Sequence, residues 1–179
     1  MERVPTPDPV AEAAEYQRYL TGLVGEDDPA EVQAAGPDAW RALIEEAGDL
    51  VAERPEPGEW SVLGCLGHAL DAEIVSSARY RWILAHDEPP LIGYDQDLWA
   101  NALHDADDDP QPLLLALEAL RRANLALWER SSEQDRARFG VHAERGPESY
   151  ELTFRLIAGH DRFHLDQARR ALAAVRERA

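Results

Sequence analysis

The chain has 179 residues, of which 45% are hydrophobic, and carries a formal net charge of −17; that is enough apolar material for one domain to bury a core unaided by disulfides. All eighteen basic residues are arginine, which excludes Schiff-base chemistry, a pyridoxal-phosphate lysine and a P-loop lysine. No basic cluster interrupts the acidic excess, so nucleic acid is excluded as an expected partner and the charge reads as solvated surface.

Cys65 is the sole cysteine, ruling out an intrachain disulfide and any zinc ribbon or iron–sulfur cluster supplied by one chain. A reducing cytoplasm is the expected setting. The longest run without Asp, Glu or Arg, Trp60 to Leu70, has eleven residues, short of the roughly 18 needed to span a bilayer. Glu2, Asp8 and Glu12 among prolines do not form a signal peptide, so no membrane partner is expected.

Pro5, Pro7 and Pro9 predict an irregular start, followed by a helix from about Val10 to Val24 with Tyr16, Tyr19, Leu20 and Leu23 along one strip. Gly25 to Pro29 ends it, and a short helical turn follows. Gly36-Pro37-Asp38 is read as the start of an amphipathic helix carrying Trp40, Leu43, Ile44, Ala47, Leu50 and Val51. Pro55 to Gly58 breaks it, and Ser61 is a candidate N-cap for a long helix to about His86, stopped by Pro89 and Pro90.

Leu91 to Asp109 reads as a loop with one helical turn around Trp99, long enough for a crossover or a lid. Its acidic end, Asp105 to Asp109, is not a calcium loop, because the twelfth position is Ala116 where a bidentate Glu is required. These carboxylates instead suit the N-terminus of a helix that has Pro110 in its first position. That helix runs to about Arg130 on Leu113, Leu117, Leu120, Leu127 and Trp128, with Asn124 near the stripe. A polar connection with Gly140, His142 and Gly146 leads to Pro147 and Ser149, where the last helix begins. No period-2 segment is long enough to predict a strand. The expected fold is all-α: a four-helix bundle (residues 36–179) with an N-terminal helical extension (residues 1–35), forming one domain over 1–179.

His160 and His164 lie on the last helix four residues apart, which puts their Cβ atoms roughly 5–6 Å apart on one face. Leu156, Ile157, Ala168, Ala171 and Val175 continue that face, so the imidazoles point into the core. Bundles build metal sites from facing helices, and His68, flanked by the small face Gly64, Cys65 and Ala72, is the expected third ligand. Three imidazoles leave coordination positions open, as in a catalytic site. Asp71, Glu73 and Asp161 are candidates to hydrogen-bond these histidines from behind. His142 is a candidate acid or base. Cys65 is read as a packing residue, His86 and His104 as surface residues, and Trp60, Trp82 and Trp99 as core or pocket wall. The spacing His160 to His164 matches that of a zincin protease, but Asp161 stands where the catalytic Glu belongs and no histidine follows.

The motifs Glu59-Trp60-Ser61, Gly67-His68-Ala69-Leu70-Asp71-Ala72-Glu73, Gly93-Tyr94-Asp95-Gln96-Asp97 with Trp99-Ala100, and Gly159-His160-Asp161 with His164 resemble the DinB-like superfamily, from about Tyr19 onward. The resemblance implies a divalent metal ion on His68, His160 and His164, and three imidazoles suit zinc, nickel, iron or copper alike. It also implies frequent homodimers, and members, some DNA-damage-inducible, that act as transferases or isomerases on small molecules using bacillithiol, mycothiol or glutathione. The expected function is a metal-dependent, low-molecular-weight-thiol-dependent S-transferase or a related hydrolase or isomerase. The alternative is a non-enzymatic metal-binding or stress-response interaction bundle.

Overall fold

The computed structural model describes residues 7–8 and 11–178. The expectations at Pro5, Pro9 and Val10 lie outside the described residues. Helix α1 (Ala13–Val24) is followed by α2 (Pro29–Ala47), α3 (Val62–Ala85), strand β1 (Pro90–Leu91), α4 (Gln96–Leu103), α5 (Pro110–Glu129), α6 (Glu133–Ala137), the hairpin β2 (Phe139–His142) and β3 (Gly146–Ser149), and α7 (Tyr150–Arg178). Helices α2, α3, α5 and α7 form the bundle. Each of α2 and α3 packs on both α5 and α7, so α2 and α3, though consecutive core helices, stand diagonally opposed. No helix among the described residues is long and apolar enough to cross a membrane.

The helix starts follow local chemistry. The Ser61 hydroxyl accepts the Gly64 N–H at 3.1 Å to open α3. Asp109 accepts the Gln111 N–H and precedes Pro110 at the first position of α5. Asp95 caps α4 in the same way, making two full turns where one was expected.

Two parts of the chain differ from the sequence expectation. Helix α2 begins at Pro29, capped by Asp28, and runs through Pro37 instead of starting there. Pro37 has no N–H to give the Gln33 carbonyl four residues earlier; that carbonyl is satisfied instead by Arg121 Nη1 at 2.9 Å. The three-stranded sheet was also not expected. β1 pairs parallel to β2, with Leu91 opposite His142, and β2 pairs antiparallel to β3. Pro147 therefore sits in a strand, and α7 starts at Tyr150. Strands of two and four residues are too short to show a period.

Among the described residues the core divides into two apolar clusters. Trp40, Leu43, Leu66, Leu117, Leu165 and Leu172 belong to one, and Tyr80, Ile83, Trp128, Tyr150, Phe154 and Ile157 to the other. Between them on α3, α5 and α7 lie Glu73, Arg121, Asn124, His160 and Asp161, all buried. On α5 the buried stripe is Leu114, Leu117, Arg121, Asn124 and Trp128, rotated from the expected leucines.

Helix α1 lies against α7, where Gly159 lets the backbone come into direct contact: a Cβ there would overlap the Leu20 carbonyl. Arg162 Nη1 then reaches the Leu23 carbonyl at 2.7 Å, at the end of α1 where free carbonyls favour a cation. Gly159→Ala is expected to destabilise the chain by about 2 kcal/mol or more in chemical denaturation. Gly22→Ala, on the exposed side of α1 with nothing within 4 Å of its Cβ, should instead be neutral or stabilise by up to about 1 kcal/mol.

Candidate metal centre

His68 lies two turns into α3, and His160 and His164 occupy successive turns of α7, the helix most extensively packed on α3. All three are buried. His68 Nε2 and His160 Nε2 are 2.9 Å apart, and one nitrogen from each residue lies within 4.8 Å of the others. Trp60, just before the Ser61 cap, packs its ring 4.8 Å from His68 and 5.9 Å from His164. The structure thus brings together the three residues expected to meet.

Burial disfavours the imidazolium at each of them. His68 is held well below its ordinary value by burial, then by His160 and His104. His164 is held down by burial, then by His160 and His68. His160 is lowered to about 4, first by burial and then by Arg121. Neutral imidazoles are the form that ligates a metal. His164 Nδ1 lies 2.9 Å from Gln167 Oε1; an amide oxygen only accepts, so the proton is on Nδ1 and the Nε2 lone pair is free. His68 Nδ1 is buried without a partner. Three neutral nitrogen donors converging in a buried site, one with its tautomer set by Gln167, fit a divalent cation.

None of the expected carboxylates hydrogen-bonds a histidine of this cluster. Asp71 Oδ2 lies 2.8 Å from His104 Nε2. Glu73 Oε2 accepts from Arg121 Nε and Nη2 at 3.1 and 2.9 Å. Asp161 accepts from the same guanidinium at 2.5 and 3.2 Å. For Glu73 and Asp161 the reason is Arg121: buried at 2% exposure, it needs counter-charge more than a neutral imidazole does. Burial alone would lower its pKa, but Asp161 and then Glu73 outweigh that and hold it above its ordinary value. Asn124 completes the group, donating to Glu73 Oε1 and to Ser77 Oγ, each at 2.6 Å. Gly36 leaves room here, since a Cβ would come within 3.2 Å of Arg121 Nη1 and Asp161 Oδ2 and would need both to give by a few tenths of an ångström. Sequence reasoning missed Arg121 and Gln167. The signal for Arg121 was its three-and-four spacing with Leu114, Leu117, Asn124 and Trp128.

His142 is buried at the end of β2, with Nε2 3.1 Å from Arg79 Nη2 and Nδ1 accepting the Glu144 N–H at 3.2 Å. It borders Arg79 rather than the cluster. Burial pushes the Cys65 thiol up to about 12, and the side chain packs in the first apolar cluster. His104 is not a surface residue: its ring lies against Gly67, where a Cβ would come within 2.9 Å of it. Trp99 packs on Tyr94, with ring centroids 4.7 Å apart.

A helical bundle with three converging core histidines is thus the class of protein that fold and site define. The chain belongs to the DinB superfamily, whose model matches residues 34–168. Among solved structures it is similar to YfiT from Bacillus subtilis, described as "a probable metal-dependent hydrolase with an unusual four-helix bundle topology". The two share 22% identity and a TM-score of 0.74, over 81% of this chain and 84% of that one; at this identity the likeness concerns the fold. No curated protein matches the sequence.

Two outcomes follow. Arg121→Met leaves Glu73 and Asp161 buried without their cation, and should cost about 3–5 kcal/mol in denaturant unfolding. The second concerns pH in the full chain after chelation. With His160 near 4 when folded and 6.5 when unfolded, the unfolded state binds the extra proton between these values. Stability should therefore be full above about pH 6.5 and fall as the pH drops towards 4, with His160 alone accounting for about 3 kcal/mol. Denaturation midpoints in this window should fall less steeply in His160→Gln.

Proposed function

We propose that this protein is a metal-dependent enzyme in which His68, His160 and His164 hold a divalent cation and a low-molecular-weight thiol is transferred to an electrophilic small molecule. The observation that carries this reading is that all three histidines of the cluster line open cavity space. One cavity, of about 550 Å³, is lined by His68 and His160. The other, of about 670 Å³, is lined by His164 and Trp60. The two adjoin, sharing Asp8, Tyr16, Gln96 and Asp97 in their walls, and together leave room for two small molecules beside one cluster. When bound, such a cation supplies Lewis acidity, lowering the pKa of a thiol or water so that a nucleophile is present at neutral pH.

The chain's own residues contribute position and a dry wall. Trp60 covers one side of the cluster. Tyr94 lines the first cavity with its ring 6.5 Å from that of His68. Burial first, and then Asp71, push its phenol above the ordinary value, so at neutral pH it is a hydrogen-bond donor for a substrate oxygen. Hydrolysis is the second reading, favoured by the fold shared with YfiT and its description as "a probable metal-dependent hydrolase".

The test combines elemental analysis of protein purified without added metal with thiol consumption. Bacillithiol, mycothiol and glutathione are each offered with a simple electrophile, to wild type and to His160→Ala. Stoichiometric metal and a thiol-dependent rate, both lost in a folded His160→Ala, are expected. Equal rates in the two proteins would remove the enzymatic role of the cluster. A rate that needs the histidines but no thiol would select hydrolysis, and metal without any rate the non-enzymatic reading.

A further inference from the structure

Arg79 lies on α3 eleven residues beyond His68, on the same side of the helix, and lines the cavity that His68 and His160 also line. Only 7% of it is exposed. Two arginines are buried among the described residues: Arg121 has two carboxylates, whereas no carboxylate of a described residue lies within 4.0 Å of Arg79. Its Nη2 donates to the Ile92 carbonyl at 2.6 Å and faces His142 Nε2. Its Nε is buried without a partner. His142 cannot complete the set, because both its ring nitrogens face donors and a neutral imidazole accepts at only one. Burial and then Arg145 push the Arg79 guanidinium below its ordinary value, with Glu148 acting the other way.

We propose that Arg79 is the recognition point for a carboxylate on the molecule that occupies this cavity. A buried guanidinium without a counter-ion is costly, and a carboxylate matches its planar donor set. The other charges in the cavity select a single negative charge. Glu148 is already engaged by Arg145 at 2.6 and 3.1 Å and by Gln17 at 2.7 Å. Asp8, Asp95, Asp97 and Glu144 are exposed at the rim, where they oppose a dianion. Between the two ends Ala72, Val75, Leu156 and Ile157 give the wall an apolar stretch, next to the hydroxyls of Ser76, Tyr94 and Thr153. Eleven residues of helix place the Cα atoms of His68 and Arg79 about 16 Å apart, so the ligand is a monocarboxylate with an apolar body. That its far end meets reactive groups rests on the function proposed above; its recognition by Arg79 does not.

The test is calorimetric titration of the full chain, as purified and after chelation, with 4-phenylbutyrate and its uncharged amide. Wild type should bind the carboxylate about tenfold or more tightly than the amide in both states, the worth of a charge-assisted hydrogen bond. Arg79→Gln should lose that preference, and Arg79→Lys, which keeps the charge, should retain part of it. No preference in wild type, or an undiminished one in Arg79→Gln, overturns the proposal. A preference that disappears on chelation also overturns it, placing the carboxylate on the cation and leaving the metal reading intact. A preference that survives chelation in protein that binds no metal upholds Arg79 while the metal reading fails. Displacement of 4-phenylbutyrate by equimolar inorganic phosphate would overturn the selection of a single charge. If Arg79→Gln does not fold, wild type before and after chelation together with Arg79→Lys decides.

Discussion

The bundle depends on one buried cation. Arg121 reaches from α5 to Glu73 on α3, to Asp161 on α7 and to the Gln33 carbonyl on α2, so a single side chain sets the relative rotation of all four core helices. Such a network is weak evidence for stability, because desolvating three charged groups offsets much of their attraction. Its geometric demand is strong, since any helix rotation that breaks one bond leaves a buried charge or carbonyl unpaired. Gly36 and Pro37 are the matching features of α2. Gly36 leaves room for the guanidinium and Asp161, and Pro37 creates the free carbonyl that Arg121 satisfies.

This constraint reaches the histidines directly. Asp161 follows His160 in sequence and Glu73 lies five residues after His68, so fixing the two carboxylates on Arg121 fixes how far α3 and α7 turn their imidazoles towards each other. Arg121 also acts through its charge, as the second cause, after burial, of the lowered His160 value. The side of the layer with carboxylates thus holds a cation permanently, while the side with imidazoles stays neutral and able to take one up. Placing carboxylates against those histidines would have merged the two functions.

The features legible in the sequence were those that act over one or two helical turns. The His160 and His164 spacing, the Ser61 cap, Pro110 at a helix start and the apolar stripe of α7 are all local, and the structure reproduces them. The features not legible depend on a partner far along the chain. Pro37 reads as a helix start until Arg121, more than eighty residues later, accounts for the missing hydrogen bond. Asp71, Glu73 and Asp161 are near the histidines by spacing, yet their direction is decided by His104 and Arg121. His142 reads as a loop residue because strands of two and four residues show no period, and its contact with Arg79 exists only once β1 and β2 pair.

A neutral imidazole cluster that is a cation site, not a satisfied polar core, carries metal in the protein as purified. Crystals of the full chain, grown from protein purified without added metal and measured at the absorption edges of zinc, nickel and iron, test it most directly. One anomalous peak bounded by the nitrogens of His68, His160 and His164 is expected. No peak there, with the three rings bonded only to one another and to Gln167, would contradict it.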